Sequence, residues 1–169
     1  MGILTAFIWL SLFEFSPSNN NLDSHFITDK GVGDITIHKS TLKDVQMAYG
    51  EKKIQKTWHK SVETELLGRY EYFLEYENFA IFSTYTINRN YTVIKKIIID
   101  SSSLCKTKNG FGIGSNYVET LKEFGIPKQS YIVKNVGKNY RLNLIYDGMD
   151  IFFNHSDSLT NEVEMIIFS

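Results

Sequence analysis

The stretch that decides the fold is "YRLNLIYDGMDIF", residues 140–152. Laid under "YEYFLEYENFAIF", residues 70–82, it matches without a gap: Tyr140 under Tyr70, Leu144 under Leu74, Tyr146 under Tyr76, Ile151-Phe152 under Ile81-Phe82. In both copies the alternating residues run to a turn signal, Asn78 in one and Asp147-Gly148 in the other, and a second apolar run follows. Alternation of period two on either side of such residues predicts two antiparallel strands joined by a short turn.

The match extends upstream. "STLKDVQMAYG" from Ser40 and "SNYVETLKEFG" from Ser115 align without a gap, each ending in an aromatic residue and glycine, Tyr49-Gly50 and Phe124-Gly125. Serine is a good N-cap, and the acids four residues later, Asp44 and Glu119, suit the positive end of a helix dipole. Gly50 and Gly125 are natural stops. Leu42, Val45 and Tyr49 fall on one helical stripe, as do Tyr117, Leu121 and Phe124, so short amphipathic helices are expected over 40–49 and 115–124. Gly112-Ile113-Gly114-Ser115 looks like the start of a phosphate loop. No lysine follows the second glycine, and the equivalent "ITIHKS" has no glycine, so nucleotide binding is not expected. Downstream, "VIKKIIID" at 93–100 corresponds to "EVEMIIFS" at 162–169 as a third strand, after the polar turn segments "TINRNY" and "NHSDSLTN".

The expectation is therefore an α+β fold: two tandem helix-plus-antiparallel-strands repeats, residues 31–100 and 111–169, joined by a polar linker at 101–110. One such unit buries little by itself, so the two should form a shared sheet with the helices on one face. A chain of 169 residues, 43% apolar and 22% charged, suits this size and is globular in composition. A formal net charge of -1 supplies no field for nucleic acid or an acidic membrane. A single cysteine, Cys105, excludes an intrachain disulfide and a cysteine-based zinc site.

Residues 1–18 read differently. "MGILTAFIWLSLF" has the length of a signal-peptide apolar core and is too short to span a bilayer; Ser16 and Ser18 precede a possible cut, though no Lys or Arg precedes the run. The expectation is an exported protein, periplasmic or secreted, with no stable membrane span. A buried N-terminal segment is the other reading.

Strand alternation separates two faces. Tyr70, Tyr72, Leu74 and Tyr76, with Tyr140, Leu142, Leu144 and Tyr146, should lie under the helices. Glu71, Phe73, Glu75 and Glu77, with Arg141, Asn143, Ile145 and Asp147, point the other way and are mixed in character, whereas the later strands are apolar on both faces. A sheet covered on one side only has no use for that second apolar face, so the chain's own N-terminal segment, its long loops, or another protein should meet it. His25, His38, His59 and His155 show no ligand spacing, "NHSDSLTNE" lacks the glycine and acid spacing of a calcium loop, and no base is placed beside Cys105. No catalytic, metal or cofactor residue is expected. The candidate partner-binding residues are Phe73, Glu75 and Ile145 at the centre of the face opposite the helices, with Trp58, in the basic loop "EKKIQKTWHK", at its rim. Trp58 may equally anchor that loop on its own domain.

The serine-to-acid helix opening, the aromatic-Gly ending and the strands that follow, over about residues 31–169, resemble the β-lactamase-inhibitor-protein-like fold. Small outer-membrane assembly lipoproteins use a single similar unit. The resemblance implies a concave sheet whose aromatics and loops grip an enzyme. No inhibitory residue carries over, and neither the inhibitor's disulfides nor the lipoprotein cysteine has a counterpart here, since Cys105 stands alone. The functional expectation is a non-enzymatic, exported protein-binding module, in its sharper form an inhibitor or immunity protein. An envelope scaffold is the alternative, and a Cys105-dependent enzyme comes last.

Overall fold

The computed structural model describes residues 26–59, 68–86, 93–134, 140–155 and 161–169. The apolar segment 1–18, His25 and most of the two polar turn segments lie outside the described residues. In chain order the elements are β1 (Gly31–Val32), β2 (Ile35–Thr36), α1 (Leu42–Tyr49), β3 (Gln55–Trp58), β4 (Tyr70–Tyr76), β5 (Ala80–Thr86), β6 (Lys96–Ile99), α2 (Tyr117–Phe124), β7 (Gln129–Lys134), β8 (Tyr140–Tyr146), β9 (Met149–Phe153) and β10 (Val163–Phe168). β1 and β2 form a two-stranded sheet, and the other strands form an eight-stranded antiparallel sheet in the order β3-β4-β5-β6-β10-β9-β8-β7.

This corrects the expected fold class. The protein is mainly β, 47% strand against 14% helix, and not a balanced α+β pair of repeats. Each helix is only 8 residues long. The sheet also gains β3 and β7, which sequence patterning did not separate from loop. β3 is exposed at every position, so no apolar alternation marks it.

Both helices open on a capping box one residue later than expected. The Thr41 hydroxyl accepts from Asp44 N–H at 3.2 Å, and the Asp44 carboxylate accepts from Thr41 N–H at 2.7 Å. Asn116 and Glu119 make the same exchange at 3.0 and 2.8 Å. Ser40 and Ser115 instead close the turns that lead in. Their hydroxyls accept from Thr36 N–H at 3.0 Å and Gly112 N–H at 3.1 Å.

Direct cross-strand partners share a sheet face. Leu74, Phe82, Ile97, Phe168, Met149 and Tyr146 form one such row across β4, β5, β6, β10, β9 and β8. The helices pack here. The Tyr49 ring stacks on Phe82 with centroids 5.7 Å apart, and Phe124 meets Tyr146 at 5.7 Å. Tyr76 donates its hydroxyl proton to the Gly50 carbonyl at 2.6 Å and Tyr146 to the Gly125 carbonyl at 3.1 Å, which ties each helix end to a strand. Tyr70 and Tyr140, expected under the helices, lie beyond them and are exposed.

The segment at 101–110 is not a loose polar tether: Ser103, Cys105 and Thr107 are buried, and Ile27 N–H donates to the Lys106 carbonyl at 2.9 Å. Gly112 belongs to this packing, because a Cβ there would stand 2.4 Å from the Cys105 carbonyl oxygen. The loop's donors are used internally. Gly112 N–H meets Ser115 Oγ, Gly114 N–H meets the Val163 carbonyl at 2.9 Å, and Ser115 N–H meets the Gly112 carbonyl at 3.0 Å.

Candidate functional site: the sheet face opposite the helices

The second face of the sheet is read from the same register. Glu75, Ile81, Ile98, Ile167, Asp150, Ile145 and Gln129 are successive cross-strand partners from β4 to β7. Ile81, Ile98, Ile167 and Ile145 are half-buried, shielded by their neighbours in the sheet. Among the described residues no helix lies over them. Beside this row sit Phe73, Ser83 and Lys96 on one half and Tyr131, Asn143 and Phe152 on the other.

Polar groups on this face divide into paired and unpaired. His59 Nε2 and Glu71 Oε2 are 2.8 Å apart, and Arg141 meets Glu164 at 2.9 Å. Asn143 donates to the Tyr131 hydroxyl at 2.7 Å, but its Oδ1 and the Ser83 hydroxyl are buried without a partner. Asp150 is half-buried between Ile167 and Ile145, with no hydrogen bond or ion pair among the described residues. Burial pushes its carboxyl above the usual carboxylate range.

The structure redistributes the expected site residues. Phe73, Glu75 and Ile145 do lie on the face opposite the helices, but not together. Glu75 and Ile145 share one row yet stand on β4 and β8, with β5, β6, β10 and β9 between them. At about 4.8 Å per strand that is roughly 24 Å. The centre of the face is the Ile98–Ile167 pair, which joins β6 to β10. Trp58 is not at its rim. It belongs to strand β3, pairs with Tyr70, and so projects on the helix side. There its ring packs on Tyr70 at 4.4 Å while Lys56 Nζ sits 3.6 Å from the Tyr70 centroid. Ile98 and Ile167 were visible in sequence as runs apolar on both faces. Asp150 had a signal too, an acid inside the apolar run "MDIFF".

Groups that could support chemistry are scattered. The Cys105 thiol is buried, donates toward the Phe79 carbonyl at 3.8 Å, and is pushed up by that burial, so it is a neutral thiol rather than a thiolate. A concavity of about 650 Å³ is lined by Asp29, Lys30, His38, Lys39 and Asp147, without a hydrogen bond from His38 to a carboxylate among the described residues. Among the described residues no three His, Cys, Asp or Glu side chains gather to hold a metal ion, and no helix is long and apolar enough to cross a membrane. No protein-family model, curated protein or solved structure matches this chain.

Proposed function

We propose that this chain is a protein-binding module whose partner docks on the sheet face opposite the helices and presents a Lys or Arg side chain among apolar ones. An inhibitor or immunity protein, which acts by occupying another protein's surface, is the form of this function the face suits best. The observation that carries the reading is the isoleucine row interrupted by Asp150. An apolar row without cover among the described residues gains free energy from any surface that dries it. Asp150, unpaired between Ile167 and Ile145, makes that drying costly unless a cation arrives with the partner. The other charges nearby support the same sign, since Glu71 and Glu164 are already paired and Glu75 is exposed.

The test places a benzophenone side chain at position 98 and irradiates the chain in the extract of cells that make it. The expected product is a defined cross-link to one other protein. With that protein purified, Asp150→Lys and Phe73→Ala should each raise Kd at least about tenfold without lowering Tm. A cross-link formed only with residues 1–25 of the same chain would make this face part of the core and end the proposal.

A further inference from the structure

β7 is an edge strand with apolar side chains on both faces. Tyr131 is 44% exposed, Ile132 60% and Val133 37%. Ile132 pairs with Leu142 and so lies on the helix side, whereas Tyr131 and Val133, opposite Asn143 and Arg141, lie on the other. A protein resting on either sheet face covers one set and leaves the other wet. A strand added alongside the edge shields both, and also satisfies the outward N–H and C=O groups.

The opposite edge is built to refuse such an addition. β3 carries Lys56, and its Trp58 is folded onto Tyr70. Charge on an edge and side chains spent on the strand's own sheet both discourage pairing. β7 has no proline, no charge between Gln129 and Val133, and no register shift against β8.

The pattern of β7 names what fits. "SYIVK" is symmetric in kind about Ile132: an apolar residue on each side, then a polar one. Antiparallel pairing about a two-fold axis perpendicular to the sheet sets Ile132 against the partner's Ile132. Tyr131 then faces the partner's Val133, and Val133 faces the partner's Tyr131. These are β-branched and aromatic pairs, which antiparallel sheets favour. A slip of one residue would send every side chain to the wrong face, and a slip of two would set Ile132 against a serine. We propose that this chain dimerises through β7 in this register, making one continuous sheet from two copies. A perpendicular axis also turns both isoleucine faces the same way, so a dimer offers two docking surfaces side by side.

Sedimentation equilibrium and cysteine cross-linking on the full chain test it. Wild type is expected to sediment as a dimer at high micromolar concentration. Ile132→Lys should sediment as a monomer with Tm unchanged, because two like charges would meet at the axis, whereas Trp58→Lys at the other edge should stay dimeric. Under mild oxidation Ile132→Cys should form a covalent dimer at least tenfold faster than Ser130→Cys, since only position 132 meets itself. Wild type, whose Cys105 is buried, should not cross-link. A monomeric wild type overturns the proposal, as does a dimer that survives Ile132→Lys or cross-links equally well from position 130.

Discussion

A carboxylate in an isoleucine row is a stability cost retained in the fold. Burial raises the Asp150 pKa above its ordinary value of 3.8, so the folded state holds that proton more tightly than the unfolded chain does. The stability linked to it is fully present below that ordinary value and is lost as pH rises through the folded one. Asp150→Asn should therefore raise Tm at pH 7 and leave it nearly unchanged near pH 3, read by calorimetry at both pH values. A lower Tm at pH 7 would show that the carboxylate has a stabilising partner. The tyrosines that anchor the helix ends titrate in the same direction. Burial pushes Tyr146 from 10.0 up to about 12, and raises Tyr76 and Tyr49 as well. Their contribution is intact below pH 10 and drains away between there and about 12, so urea midpoints should hold at neutral pH and fall across that window. Tyr146→Phe should flatten the fall. At pH 7 it should cost about 0.5–1.5 kcal/mol for the lost hydrogen bond to Gly125.

The helices were legible in sequence because their ends are written in local chemistry. A polar cap, an acid in the first turn and a terminal glycine placed them within two residues. The cap itself moved by one, because Thr and Asn compete with Ser for the position. Thr41→Ala and Asn116→Ala should each cost about 1 kcal/mol, measured by urea denaturation. Ser40→Ala should also destabilise, since it removes the only acceptor shown for Thr36 N–H. A silent Thr41→Ala would mean that the capping box is not formed in solution. β4 and β8 were legible for a similar reason: alternation in "YEYFLEY" and "YRLNLIY" follows directly from one face being core. The edges were not. An edge strand has no second neighbour and little core contact, so "QKTW" and "QSYIVK" carry no fixed pattern, and their place depends on partners distant in sequence. This also explains why Trp58 was assigned to the wrong face. Its direction is set by its pairing with Tyr70, which nothing local encodes.

Residues 31–100 and 111–169 each supply four strands of the large sheet, and only β6 against β10 sews them together there. That seam consists of Ile97–Phe168, Ile98–Ile167 and Ile99–Ile166. Ile97, Ile99, Phe168 and Ile166 are wholly buried within a single hydrophobic cluster that also holds Leu42, Val45, Leu144 and Phe153. The core is therefore continuous across the seam, and neither half closes its own. A fragment of residues 26–110 would keep α1 and β3 to β6 but turn β6 into a bare edge of isoleucines, a template for aggregation rather than a stable terminus. The expected behaviour is one cooperative transition for the full chain, with near- and far-ultraviolet circular dichroism superimposing and calorimetric and van't Hoff enthalpies equal. The fragment should be unfolded or aggregated. Phe168→Ala, at the seam, should lower the stability of the whole molecule by about 3–5 kcal/mol and shift both probes together. Two resolved transitions, or a fragment that is monomeric with a sharp melt, would show instead that each half is a domain, and that the isoleucine seam joins two finished units.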